Sequence, residues 1–214
     1  MGMKIALCCP LSKPEPAFTK SFDDLKVVLS AQHDIQCFHT YGMSGICGVR
    51  NKITEDALVW EPDYLFWVDD DMRFDNDIVE RLLAHKKDFV SALMFSKNLP
   101  FYPTMKKVTG EGGLDFNNYV AYPKDSLFEI AGCGFAATLI HRRIFEDIAI
   151  KTDLGTKWFF ENQHCGESED MNFCIRAREH EHKIWCDSSV KTRHIGGEGI
   201  GEENWLYWEP RGKK

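Results

Sequence analysis

No apolar run in this 214-residue chain approaches the ~18 residues that a membrane span needs. The start, MGMKIALCCPL, has too short an apolar part, too soon followed by proline and charge, for a secretory signal; it reads as a buried first strand, Lys4 to Cys9. C-x-x-C pairs are also missing. The eight cysteines (Cys8, Cys9, Cys37, Cys47, Cys133, Cys165, Cys174 and Cys186) therefore read as mostly free, buried thiols in a reducing compartment. A zinc site built from Cys165, Cys174, Cys186 and a histidine is the minor alternative. Basic excess is lacking too: the net charge is −7, which disfavours a partner held by its phosphate backbone but leaves room for a local basic strip. Repeats, low-complexity tracts and linkers are absent, so one domain over 1–214 is expected. That length buries about 70% of the unfolded surface without a staple.

What is present is an alternation of apolar runs and helix-period segments. KIALCC, DIQCFHTY, YLFWVD and DFVSALMF read as strands. Between them lie SFDDLKVVLSAQ, with a Ser21…Asp24 capping-box pattern, then VRNKITEDALVW after the glycine-rich GMSGICG, and DNDIVERLLAHK. From Ser96 to Asp125 the pattern weakens to turns and two candidate strands, YPTMKKV and NNYVAY. GCGFAATLIHR, KIWCD and VKTRHI read as later strands, and RIFEDIAI and SEDMNFCIRAREHEH as helices. Strands alternating with helices predict an α/β fold: a mainly parallel central sheet, Rossmann-like, with helices on both faces. Ligands in such folds sit beyond the carboxyl ends of the strands.

The sharpest local feature is YLFWVDDDMRFDND, an apolar strand ending in Asp69, Asp70 and Asp71. Carboxylates about 5 Å apart at an effective dielectric near 20 repel by roughly 3 kcal/mol per pair. They must splay into water or share a cation. If the strand persists to Asp71, Asp69 and Asp71 point one way and Asp70 the other. The first two then form a hard-oxygen seat for Mg²⁺ or Mn²⁺, and Asp70 accepts hydrogen bonds from a sugar or ribose hydroxyl. The structural alternative is a solvated turn capping the next helix. The buried look of YLFWV favours the metal seat.

An apolar strand ending in D-D-D resembles the D-x-D motif of GT-A-fold glycosyltransferases. VRNKITEDAL, AGCGFAATLIHRRIFEDI, GESEDMNFCIRAREHEHKIWCD and VKTRHIGG resemble further segments of family 2-like members, in the same order. The resemblance covers nearly the whole chain, and short, single-domain members of this kind occur in phages and bacteria. It implies a soluble enzyme in the cytoplasm of a bacterial or phage-infected cell.

The resemblance also assigns residues. Glu169 and Asp170 open a helix, where acidic residues are favoured on electrostatic grounds alone. By resemblance Asp170 is the catalytic base, with Glu169 orienting it or holding acceptor hydroxyls, the reverse assignment staying open. His194 supplies a metal ligand beside Asp69 and Asp71, where the alternative is a structural histidine. Arg50 and Asn51 reach toward donor phosphate or base, and Pro10 marks the nucleotide-binding turn or simply ends the first strand. Lys191 and Arg193 lie near the diphosphate. The chain departs from the family after the second strand, where His39, Thr40 and Tyr41 replace an acidic base-binding residue, so uridine and guanosine both stay open. His180 and His182, two apart on a helix, point in different directions and form no metal site. The tail GEGIGEENWLYW, with Gly196, Gly197, Gly199, Gly201, Trp205, Tyr207 and Trp208, is either a lid over the donor or a fixed strap.

Together these readings predict a metal-dependent glycosyltransferase moving a sugar from a UDP- or GDP-sugar to an acceptor hydroxyl, with inversion implied by the resemblance. The donor half is expected at 1–95, the acceptor and catalytic half at 96–195, and the lid or strap at 196–214. Rival readings are a nucleotidyltransferase or phosphohydrolase with a two-metal Asp69–Asp71 cluster, and a non-catalytic sugar-nucleotide-binding module.

Overall fold

The computed structural model describes residues 2–40, 45–109, 114–151, 157–161, 168–195 and 199–208. The expectations placed on Tyr41, Gly42 to Ser44, Cys165, Gly166, Gly196, Gly197 and the side chains of Tyr207 and Trp208 lie outside the described residues. The chain opens as β1 (Lys4–Pro10), α1 (Pro16–Ser30), β2 (Asp34–Thr40), α2 (Ile46–Val59), β3 (Tyr64–Val68), β4 (Met72–Arg73), α3 (Ile78–Leu83) and β5 (Phe89–Leu93). It continues as β6 (Met105–Val108), β7 (Leu114–Asn118), β8 (Leu127–Ile130), β9 (Gly132–Cys133), β10 (Ala137–His141), α4 (Arg142–Ile148), β11 (Ile150–Lys151) and β12 (Lys157–Trp158). The last elements are α5 (Glu169–Glu179), β13 (Ile184–Lys191), β14 (Arg193–His194) and α6 (Glu202–Trp208).

Seven strands form the central sheet in the order β2-β1-β3-β10-β5-β13-β8. β1 is parallel to β2 and β3, and β13 to β5; β10 runs antiparallel between β3 and β5, and β8 antiparallel on the edge. The sheet is therefore mostly parallel, and the carboxyl ends of β1, β3 and β5 lie along one rim. Strands buried on both faces read as continuous apolar runs, as in β3, where Leu65, Phe66, Trp67 and Val68 are all fully buried. Alternation sends neighbours to opposite layers. Phe66 meets Phe74, which meets Phe18 of α1, whereas Trp67 meets Phe145 of α4. On the Trp67 side, Phe135, Phe145, Phe160 and Phe173 pack ring to ring with centroids 4.9–5.5 Å apart along the chain of contacts.

Several expected boundaries move for identifiable reasons. α1 starts at Pro16, not at a Ser21 cap: Pro16 occupies the first turn, where its missing N–H is harmless, and Ser21 is buried mid-helix. α2 begins earlier than Val49, behind Gly45, whose φ of +81° favours glycine. β3 stops at Val68, so the three aspartates sit on a turn rather than continuing the pleat. The two expected last strands largely merge into β13, which bulges between Asp187 and Lys191 before β14. Among the described residues no helix is long and apolar enough to cross a membrane.

α6 is anchored by one buried carboxylate. Glu202 accepts from Tyr122 Oη and Lys124 Nζ, both at 2.7 Å, and pairs with Lys191 Nζ at 2.7 Å. Trp205, also buried, meets Tyr102 at 5.3 Å. Among the described residues α6 is docked on the body of the protein, and Lys191 pairs with Glu202. Burial pushes the Glu202 carboxyl upward, but the bonds from Lys124, Lys191 and Tyr122 outweigh it and bring it from 4.5 down to about 2. A lowered folded-state value contributes stability that is full above the unfolded value and fades as pH falls toward the folded one. Glu202→Gln should therefore lower the melting temperature at pH 7. The gap from wild type should close between pH 4.5 and 2, read by thermal denaturation across that range.

Candidate active site

The rim carrying Asp69 is organised by Arg50 of α2. Its guanidinium is buried, donates from Nη2 to Asp69 Oδ1 at 3.2 Å and from Nε to Glu169 Oε1 at 3.1 Å. It also lies 5.4–5.9 Å from the rings of Trp67, Phe135 and Phe160, a cation–π surround that keeps water out. Burial works against its charge, but Asp69, Glu169 and Asp170 more than compensate and raise its pKa above the ordinary value. Its third nitrogen, Nη1, is buried without a partner among the described residues, so Arg50 keeps one donor beyond its two carboxylates. Burial pushes the Asp69 carboxyl up, Arg50 pulls it back, and Asp71 adds to the rise. Glu169 is likewise raised by burial against the opposing pull of Arg50.

The three aspartates have separate environments. Asp70 turns inward, its Oδ2 accepting from the backbone N–H groups of Ser12 and Lys13 at 2.6 and 2.8 Å and from Ser12 Oγ at 3.2 Å. It fixes the β1–α1 loop, so this oxygen is already engaged by the protein rather than by a sugar or ribose hydroxyl. Asp71 Oδ2 accepts from Lys97 Nζ at 2.7 Å, and Asp71 Oδ1 lies 3.9 Å from His194 Nε2. The backbone carbonyl of Asp71 accepts from the N–H of Ile195 at 2.7 Å, and β14 pairs with β4. That pairing brings His194 to the aspartates from more than a hundred residues away.

His194 Nδ1 is hydrogen-bonded to the carbonyl of Phe95. A carbonyl only accepts, so Nδ1 carries the proton and, in the neutral ring, Nε2 keeps its lone pair. Metal-binding histidines are oriented in this way. Two ligands each about 2.1 Å from an ion are roughly 3.0 to 4.2 Å apart, cis or trans; the 3.9 Å between Asp71 Oδ1 and His194 Nε2 falls within that span. Asp71 and His194 are thus donors of a suitable type at one suitable spacing, but Asp69 Oδ1 is turned to Arg50, and among the described residues no group of three or more His, Cys, Asp or Glu side chains could hold a metal ion. None of the described cysteines joins one, and Cys174 and Cys186 are buried.

Two cavities flank these groups. One, of ≈ 580 Å³, is bordered by Pro10, Ser12, Thr40, Gly45, Arg50 and Asp71; the other, of ≈ 420 Å³, by Ser96, Tyr102, Thr104, Asn118, Gly134 and His194. Asp69, Lys97 and Asp170 border both. Asp170, the second residue of α5, has Oδ1 held by Ser168 Oγ and by the N–H of Met171. Its Oδ2 faces Gly134, where even a Cβ would stand 3.4 Å away.

Sequence reasoning placed Pro10, Arg50, Asp69, Asp70, Asp71, Glu169, Asp170 and His194 on one rim, and they meet there. Two candidates are used elsewhere. Asn51 Nδ2 donates to the carbonyl of Phe160 at 2.8 Å and its Oδ1 accepts from the N–H groups of Phe159 and Phe160 at 2.7 and 2.9 Å, which fastens α2 to that segment. Arg193 is half-exposed and pairs with Glu203 of α6 at 2.5 Å, because strand alternation turns it away from His194. Lys97 was missed; it follows β5 by four residues at the same strand rim, and that position was the available signal.

No protein-family model matches this chain, and no curated protein does. Among solved structures it is similar to A197 from STIV, with TM-score 0.62 and 17% identity, over 94% of this chain and 91% of that one. It is also similar to GalNAc-T7, crystallised with UDP, GalNAc and Mn²⁺, with TM-score 0.53 and 11% identity, over 95% of this chain. The chain spans under half, 45%, of that protein. The fold is the GT-A fold of nucleotide-diphospho-sugar transferases.

Removing a buried partner from two carboxylates typically costs 3–5 kcal/mol. Arg50→Ala should therefore lower the melting temperature by roughly 10 °C for a domain of this size, measured by calorimetry at pH 7. A drop within about 2 °C would show that Asp69 and Glu169 do not depend on it.

Proposed function

We propose that this protein is a glycosyltransferase that moves a sugar from a nucleoside-diphosphate sugar to an acceptor hydroxyl. The observation that carries the reading is the junction of two cavities at Asp69 and Asp170. The cavity bordered by Pro10, Thr40 and Arg50 takes the nucleotide, and the one bordered by Tyr102, Asn118 and Gly134 takes the acceptor. On this reading residues 1–95 serve mainly the donor and 96–195 mainly the acceptor.

The chain's own groups divide the work. Asp170 receives the proton of the acceptor hydroxyl as that oxygen attacks the anomeric carbon and the bond to the diphosphate breaks. Ser168 and the Met171 N–H hold one of its oxygens and leave Oδ2 toward Gly134. Glu169 is bound to Arg50, so it orients the start of α5 and Asp170 is the base. Were Mn²⁺ or Mg²⁺ to enter with the donor, Asp69, Asp71 and His194 are the side chains that would face it, and the ion would supply Lewis acidity to the diphosphate leaving group. Attack from the acceptor cavity on a sugar whose diphosphate lies in the donor cavity favours inversion. Thr40 borders the donor cavity without settling the base, so UDP- and GDP-sugars are both donor candidates.

A two-metal nucleotidyl or phosphoryl reaction needs a further carboxylate beside Asp69 and Asp71. The groups bonded to those two are the cations Arg50 and Lys97, and the carboxylates that share their rim, Glu169 and Asp170, are engaged by Arg50 and by Ser168.

Thermal shift against a panel of nucleoside diphosphates, each with and without Mn²⁺, should show stabilisation by UDP or GDP that requires the ion. No shift with any of them would overturn the donor assignment. With a donor identified, Asp170→Asn should cut its turnover, measured as nucleoside diphosphate release, by about 100-fold or more, while donor affinity stays within about twofold. Unchanged turnover would leave a binding module or a different base.

A further inference from the structure

Tyr102 borders the ≈ 420 Å³ cavity and stays 39% exposed, although its ring meets the buried Trp205 at 5.3 Å. The loop that carries it is held by its own backbone. The carbonyl of Tyr102 accepts from the N–H of Ser96 at 2.8 Å, the N–H of Phe101 donates to the carbonyl of Asn98 at 2.8 Å, and Phe95 bridges to Pro103. Phe101 has a φ of +58°, which a bulky residue adopts only where its surroundings impose it. A tyrosine left open on such a loop offers a fixed apolar plate with a polar tip.

Amides and hydroxyls surround that plate, since Ser96, Asn98, Thr104 and Asn118 border the same cavity. Asn118 Oδ1 accepts from Lys106 Nζ at 3.4 Å. Its Nδ2, the Asn98 carboxamide and the Tyr102 hydroxyl have no hydrogen-bond partner among the described residues. Ser96 Oγ accepts from the N–H of Asn98 at 3.2 Å and keeps its own proton to donate. Charge around the cavity is balanced: Asp69 and Asp170 stand against Lys97 and Lys106. A phosphate-bearing ligand gains little there, and an acyl chain would leave amides and hydroxyls unpaired. A pyranose has a face of C–H groups and a rim of hydroxyls that both donate and accept. It matches an aromatic plate ringed by amides and hydroxyls.

We propose that this cavity binds a neutral hexopyranose, the terminal sugar of a glycan or glycoside, stacked on Tyr102 with its hydroxyls bonded to Asn98 and Asn118. The acceptor is thus a saccharide, and the hydroxyl it presents to Asp170 is the one that receives the transferred sugar. That the bound saccharide is the acceptor rests on the transferase reading above; that a saccharide binds here rests on the cavity alone.

Saturation-transfer-difference NMR reads such binding without turnover. The probes are the methyl glycosides of glucose, galactose, mannose and N-acetylglucosamine, each with and without the nucleoside diphosphates. At least one glycoside should bind. Tyr102→Ala should weaken it about tenfold through loss of the aromatic face, whereas Tyr102→Phe, which keeps the ring, should stay within about twofold. Asn118→Ala, on β7 and away from the Trp205 contact, tests the same site by a second route and should weaken binding about fivefold. Stabilisation by nucleoside diphosphate should be equal in Tyr102→Ala and wild type, because Tyr102 borders the acceptor-side cavity and not the other.

No binding of any of the four glycosides under any nucleotide condition would overturn the proposal. So would unchanged affinity in both Tyr102→Ala and Asn118→Ala, or binding of a serine-containing peptide or an alkyl phosphate in place of the glycosides. A nucleoside-diphosphate response without glycoside binding would remove the saccharide and leave the donor assignment standing. Glycoside binding without any nucleoside-diphosphate response would sink the transferase reading and leave a saccharide site.

Discussion

The buried guanidinium of Arg50 is the constraint on which the rest of the site depends. It joins three parts of the chain that are far apart in sequence: α2, the turn after β3 and the start of α5. An arginine enclosed by Trp67, Phe135 and Phe160 cannot leave two carboxylates unpaired without a cost of several kcal/mol. Its planar fork also limits where Asp69 and Glu169 can sit. The acidic strand tip and the acidic helix start are therefore held at fixed separation before any ligand arrives. Without that bridge, the mutual repulsion of Asp69, Asp71, Glu169 and Asp170 would work against the convergence that the cavities require.

Around this bridge the carboxylates are separated by what each is bonded to. Glu169 belongs to Arg50, Asp70 to the β1–α1 loop, and Asp71 to Lys97 and the neighbourhood of His194. Asp170 alone among the acidic pair on α5 has an oxygen facing Gly134. Five carboxylates in one rim thus have different environments. The differences come from partners on other elements, not from the residues' own chemistry. His194 shows the same dependence, since its orientation is imposed by the carbonyl of Phe95 and its position by the pairing of β14 with β4.

The C-terminal helix adds a second anchored carboxylate, Glu202, whose two lysines and one tyrosine hold α6 in place. Trp205 of α6 packs on Tyr102 of the loop that follows β5, the loop that also carries Lys97.

Periodicity and apolar runs were enough to show an α/β sheet, because strands buried on both faces have to be apolar throughout and helices between them have to be amphipathic. The abrupt change from YLFWV to three aspartates likewise marked the carboxyl end of a buried strand, since such a strand ends in charge where the core ends. Strand alternation was the expected reason for setting Asp69 and Asp71 apart from Asp70, but β3 ends at Val68 and their environments come instead from Arg50, Lys97 and the backbone N–H groups of the β1–α1 loop. Sequence could not show that Arg50 bridges two carboxylates, that Asn51 fastens a backbone segment, that Arg193 turns to Glu203, or that Lys97 sits on Asp71. Those assignments are long-range pairings of polar groups, and any of the chain's many cations is chemically able to satisfy any of its acids. Only the folded arrangement of strands and loops selects which ones meet.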